Sequence, residues 1–124
     1  MKALKLKEGI YWVGAIDWDL RNFHGYVTQR GSTYNAYLII DDKITLIDNV
    51  KSYLYEEMIT RIKDIIDPSK IDIIIQNHIE MDHSGGLPEL IKLIPKATLY
   101  TNANGVKGLK RHFKQDWNFQ EVKN

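Results

Sequence analysis

Residues 71–75, Ile71-Asp72-Ile73-Ile74-Ile75, form a short, nearly continuous β-branched run between two segments of helical periodicity. Isoleucine is stiff in a helix and packs well on a pleated surface, so the run predicts a buried strand. Before it, residues 54–66 carry Leu54, Met58, Ile62 and Ile65 at helical spacing, with Tyr55, Ile59 and Ile66 beside them. That is one broad apolar face of an amphipathic helix, ended by Asp67-Pro68. After it, Leu87, Leu90, Ile91 and Ile94 mark a second helix, stopped by Pro95. A strand between two amphipathic helices calls for a sheet with helices packed on it.

The flanking segments extend this pattern. Residues 10–13 read as a short strand. Residues 34–40 and 44–47 read as two strands joined by the turn Asp41-Asp42-Lys43, a hairpin that Asp48 follows immediately. Residues 97–100 form another short strand. Val106, Leu109 and Phe113 mark a third helix, with Lys107, Lys110, Arg111 and Lys114 facing solvent, and residues 118–122 begin one more strand. Residues 17–32 are polar and glycine-punctuated, with Trp18, Phe23 and Tyr26 embedded, and read as a long loop. Loops of that length are usually functional or disordered, and the aromatics argue against disorder. The expectation is an α/β (α+β) chain in which a run of strands precedes alternating helices and strands.

Composition narrows the function classes. At 124 residues the chain suffices for one core. Its 17 basic and 16 acidic residues leave a net charge of +1, which makes no electrostatic case for nucleic acid or an anionic membrane. No apolar run approaches the roughly 18 residues of a membrane span, and the start lacks an apolar signal-peptide core. A cytoplasmic location is therefore expected. Cysteine is absent, so disulfides, thiolate metal sites and cysteine nucleophiles are excluded. Any metal must be held by His, Asp or Glu.

Those residue types cluster in one place. His78, Glu80, Asp82 and His83 lie within six residues and precede Ser84-Gly85-Gly86. In extended backbone, alternate side chains share a face, so His78, Glu80 and Asp82 converge on one side of a loop leaving the strand. His83 follows as the chain turns. In open α/β sheets ligands bind beyond the carboxyl ends of strands, which is where this loop falls. Two ions roughly 3.5–4 Å apart would use four such ligands better than one ion. The natural division is His78 with Glu80 on one ion and Asp82 with His83 on the other. The imidazole and carboxylate mixture suits Fe, Mn, Zn or Co.

His78-x-Glu80-x-Asp82-His83 resembles the metal motif of the metallo-β-lactamase superfamily. Hydrolases of that superfamily usually carry His where this chain has Glu80. The Glu form resembles the flavodiiron proteins, or A-type flavoproteins. The match extends through Gly31-Ser32-Thr33-Tyr34-Asn35-Ala36-Tyr37-Leu38-Ile39, Leu46-Ile47-Asp48, Asn77-His78-Ile79-Glu80-Met81-Asp82-His83-Ser84-Gly85-Gly86-Leu87-Pro88-Glu89 and Gly105-Val106-Lys107-Gly108-Leu109, nearly the whole chain. The resemblance implies a metallo-β-lactamase-like αββα fold holding a non-haem di-iron centre, followed in the complete protein by a flavodoxin-like domain with FMN. It implies reduction of O2 to water or of NO to N2O. Electrons would arrive through FMN from rubredoxin or a similar donor, in a head-to-tail homodimer. Glu80 also has a direct physical reading. A carboxylate in place of imidazole adds negative charge and a hard donor, which favours an ion cycling between ferrous and ferric states.

The family pattern takes a further His, a bridging Asp and a last His from loops downstream. After His83 the chain has one His, His112, and one Asp, Asp116. His112 reads as a solvated helix-end residue near favourable carbonyls, and the missing ligands do not map onto it. No glycine-rich FMN loop follows. Residues 1–124 are thus expected to be the N-terminal part of the lactamase-like domain, as a fragment, a split gene or a truncated paralogue. The rivals are a hydrolase of the same superfamily and an inactive remnant needing a partner chain. His24, in the early loop, matches a family His near the di-iron pocket and is a candidate pocket or proton-donating residue. Asp48 matches a family Asp that supports the metal loop from behind. The basic stripe is a solvated face or a docking site for an acidic electron donor.

Overall fold

The computed structural model describes residues 1–18, 22–23, 26–27 and 31–123. Among the described residues, eleven strands and four α-helices follow the chain in order. The first eight strands are β1 (Leu4–Lys7), β2 (Ile10–Trp12), β3 (Ala15–Asp17), β4 (Asn22–Phe23), β5 (Tyr26–Val27), β6 (Ser32–Tyr34), β7 (Tyr37–Ile40) and β8 (Ile44–Ile47). Helices and strands then alternate as α1 (Tyr55–Lys63), β9 (Ile73–Ile75), α2 (Met81–Ser84) with α3 (Leu87–Leu93), β10 (Thr98–Thr101), α4 (Ala103–Phe113) and β11 (Phe119–Glu121).

Seven strands form the main sheet in the order β1-β2-β7-β8-β9-β10-β11. The pairs from β1 to β8 are antiparallel, as the hairpin predicts. The pairs from β8 to β11 are parallel. Each parallel pair is joined by a helical crossover, and all three crossovers step the same way across the sheet. Such crossovers are right-handed in nearly all proteins, so three steps in one direction put all the helices on one face.

That face is the core. Leu38, Leu46, Ile74 and Leu99 stand opposite one another across β7, β8, β9 and β10, and each is at most 1% exposed. Met58, Ile59 and Ile62 of α1, Leu87 and Leu90 of α3 and Leu109 of α4 close over them in one cluster. On the opposite face Ile39, Thr45, Ile73 and Thr98 form a matching row that is only half-buried. The isoleucine run is therefore a strand fully buried on one face, with Ile73 and Ile75 half-covered on the other.

Three expectations change. Residues 17–32 are more than a loop: β3 and β6 zip their ends together, with Asp17 opposite Ser32, and β4 pairs with β5 inside. The strand expected over residues 34–40 divides in two, because β6 pairs with β3 while β7 pairs with β2 and β8. The first helix ends at Lys63, and Pro68–Lys70 form a 3-10 turn in which Asp67 accepts from the Ser69 N–H. Strand β1 went unread because all four of its residues are exposed at the sheet edge. Helix α1 is tied to the β3 segment by polar contacts: Glu57 accepts from the Ile16 N–H at 2.8 Å, and Arg61 donates to the Gly14 carbonyl at 2.8 Å. Among the described residues no helix is long and apolar enough to cross a membrane.

The aligned core row makes a direct forecast. Leu46→Ala should lower the free energy of unfolding by about 2–5 kcal/mol, read by equilibrium urea denaturation. Leu6→Ala, on the exposed edge strand, should change it by less than about 0.5 kcal/mol.

Candidate metal centre

Strand β8 ends at Ile47, and the next residue, Asp48, adopts φ +61°. This left-handed conformation is tolerated by Asp better than by most residues, because its short carboxylate can bond locally. The Asp48 N–H donates to the Ile75 carbonyl at 2.8 Å, which binds the end of β8 to the end of β9. The turn sends the carboxylate under the chain leaving β9. Asp48 Oδ1 accepts from the N–H of Asn77 at 2.8 Å and of His78 at 3.3 Å, and Oδ2 accepts from Asn77 Nδ2 at 3.3 Å. Asp48 itself is buried. Its carboxylate thus holds the start of the segment that carries His78 and Glu80.

Beyond His78 the backbone departs from the expected form. Glu80 is extended, but Met81–Ser84 close a helical turn, α2. The His83 N–H donates to the Glu80 carbonyl at 2.9 Å, and Ser84 Oγ donates to the Ile79 carbonyl at 2.7 Å. The alternation that puts His78 and Glu80 on one side therefore stops before Asp82. The turn is possible because Gly85 and Gly86 have no side chain. A Cβ on Gly85 would lie 2.7 Å from both the Met81 carbonyl oxygen and the Ser52 amide, and one on Gly86 would strike the Asn49 side chain.

The fold brings three of the four expected ligands near one another. The His78 and His83 rings are 4.9 Å apart between centroids and tilted by 37°. Asp82 Oδ2 is 3.5 Å from His83 Nε2. The Tyr34 ring meets the His83 ring edge-on at 6.3 Å, and Lys51 Nζ lies over the other end of that tyrosine. His78 and Glu80 are exposed, and Asp82 and His83 half-buried. Among the described residues, however, no three His, Asp or Glu side chains converge tightly enough to hold an ion. The donor set still fits a metal. It contains two imidazoles and two carboxylates at one strand end, and His83 Nδ1 is buried without a hydrogen-bond partner among the described residues. A buried ring nitrogen without a partner is costly unless something else satisfies it.

His24 lies outside the described residues. His112 is exposed in the last turn of α4, where solvation was expected, but it also lines a cleft of about 450 Å³ with Ile79, Glu80, Met81, Gly108 and Arg111. Of the basic stripe, Lys110 pairs with Asp116 at 3.3 Å. One residue escaped the sequence reading entirely. Gln76 is 2% exposed, and its side-chain amide reaches the carbonyls of both His78 and His83. The available signal was a polar residue directly continuing an apolar strand, Ile75-Gln76-Asn77.

The geometry can be set beside known proteins. Residues 33–124 match the family model described as ODP family beta lactamase. A nitric oxide reductase of Moorella thermoacetica is 46% identical, over 98% of this chain and 31% of that protein. The solved rubredoxin oxygen:oxidoreductase of the anaerobe Desulfovibrio gigas superposes with a TM-score of 0.92 at 43% identity, covering 98% of this chain and 31% of that one. The flavodiiron protein of Giardia intestinalis superposes equally well, at 34% identity, covering 99% and 30%. The chain thus spans about 30% of the length of the relatives it matches.

The Asp48 grip predicts a stability effect. Asp48→Ala strands two backbone N–H groups and places alanine at positive φ, so unfolding free energy should fall by about 2–3 kcal/mol. Asp48→Asn keeps an acceptor and tolerates the backbone, and should lose about 1 kcal/mol or less. Urea denaturation of both variants checks the order.

Proposed function

The chain belongs to the ODP family of beta lactamases, and from that premise we propose that it supplies the first iron-binding loop of a flavodiiron-type oxidoreductase that reduces O2 to water or NO to N2O. Residues 1–124 are, in this reading, the N-terminal part of a metallo-β-lactamase-like domain. The half-buried row Ile39, Thr45, Ile73 and Thr98, β-branched throughout, supports it, because that face suits a second β-layer of an αββα arrangement.

The observation that carries the proposal is the placement of His78, Glu80, Asp82 and His83 on one buttressed segment at the end of a parallel strand, with Glu where the hydrolases have His. His78 and Glu80 would hold one iron, and Asp82 and His83 the other. The close, tilted approach of the His78 and His83 rings supports two adjacent ions better than one. Glu80 is exposed, so its carboxylate has room to rotate inward. Bound iron would supply one-electron exchange between ferrous and ferric states. The residues of this chain set charge and geometry: two carboxylates offset the metal charge, and Asp48 fixes the backbone that carries His78. His24 is proposed as a pocket residue that could donate a proton. FMN would pass electrons in from rubredoxin or a similar donor, within a homodimer in the cytoplasm.

Anaerobic reconstitution with Fe(II) tests this. The wild-type chain should retain iron weakly, and His78→Ala with Asp82→Ala should lower retention at least tenfold, as measured by elemental analysis after desalting. Equal retention by the double variant sinks the proposal. Zinc loading followed by a thioester hydrolysis assay separates the hydrolase reading, which requires turnover there.

A further inference from the structure

Gln76 is the first residue past β9, and its backbone N–H donates to the Tyr100 carbonyl at 2.9 Å, anchoring it to β10. Its side chain is enclosed. Nε2 lies 2.6 Å from the His78 carbonyl oxygen and 2.5 Å from the His83 carbonyl oxygen, with Asp48 Oδ1 farther away at 3.4 Å. A primary amide has two N–H groups, and the two short bonds use both. The orientation is forced, since the flipped amide would press Oε1 against two carbonyl oxygens. Oε1 is left buried without a partner among the described residues. A polar side chain that solvates nothing and leaves one atom unpaired is poorly suited to filling space.

Its two acceptors explain its presence. His78 and His83 are the first and last members of the ligand segment, and one nitrogen joins both of their carbonyls. Asp48 holds the same segment by its N–H groups, so the peptide units flanking His78 are gripped by an acceptor on one side and a donor on the other. We propose that Gln76 is a positioning residue of the metal centre: its amide sets the span between His78 and His83, so the two imidazoles are held close together before a metal arrives. The proposal rests on the metal-binding reading above. It follows the general behaviour of groups that orient ligands, whose removal typically lowers metal affinity by about 10–100-fold.

The probe is Co2+ alone, titrated into the full 124-residue chain under anaerobic conditions and followed by visible absorption, whose band positions report ligand geometry. Gln76→Met keeps the size and removes the donor. It should retain the far-UV circular dichroism of the parent, bind Co2+ at least tenfold more weakly and shift the visible bands. Gln76→Glu, which sets an acceptor against two carbonyls, is the second variant should the first not fold, and the same losses are expected. Wild-type affinity and unshifted bands in a folded variant overturn the role of Gln76 while leaving the metal centre standing. Failure of the parent chain to bind Co2+ at all overturns both.

Discussion

The carboxylate of Asp48 joins three parts of the molecule. Its backbone ties β8 to β9, its φ of +61° turns the side chain under the departing chain, its Oδ1 takes the backbone N–H groups of Asn77 and His78, and its Oδ2 takes the Asn77 side-chain amide. Remove that contact and the segment after β9 has two unpaired backbone N–H groups and no fixed exit direction. Every other feature of the candidate centre presupposes it: the α2 turn, the approach of His78 to His83, and the reach of Gln76.

The sheet is arranged to deliver that contact. Parallel pairing of β8 with β9 puts the two strand ends side by side, at the edge where loops emerge. The row Leu38, Leu46, Ile74 and Leu99 holds the register beneath three helices, so the strand ends cannot slide without exposing core residues. Core packing and site geometry are therefore one problem in this chain. A one-residue slip of β9 would turn Ile74 out and carry Gln76 and His78 away from Asp48.

The polar groups around the segment divide the work by chemistry. Asp48 can only accept, so it takes amides. Gln76 Nε2 can only donate, so it takes carbonyls. Ser84 closes the same turn by donating to Ile79. Among the described residues, Asn49 Nδ2, Arg61 Nε, Gln76 Oε1 and His83 Nδ1 are buried without a partner, and two of them, Gln76 Oε1 and His83 Nδ1, belong to residues joined by the Gln76 bond to the His83 carbonyl. Unpaired polar atoms gathered at a site rich in ligand-type side chains fit a centre completed by a bound group better than a relaxed surface loop.

Much of this was legible in the order of residues. The hairpin over residues 37–47, three of the helices, the short strands between them and the ligand-type run His78-Glu80-Asp82-His83 follow from periodicity, turn residues and side-chain chemistry, all of them local properties. Glu80 in place of His also needed no fold to be noticed. What local pattern could not decide was which groups meet across the chain. That residues 15–17 would zip to residues 32–34 depends on strand pairing between distant segments. The helical turn of α2 depends on Gly85 fitting against Ser52, more than thirty residues upstream in sequence. The roles of Asp48 and Gln76 as the two jaws of one grip depend on β8 and β9 lying parallel. The sequence by itself determined the ligand-type side chains and most of the elements that carry them, because these are fixed by residue type and short-range spacing. Tertiary structure alone decided how the ligand segment is held, because long-range hydrogen bonds exist only once the sheet has brought their partners together.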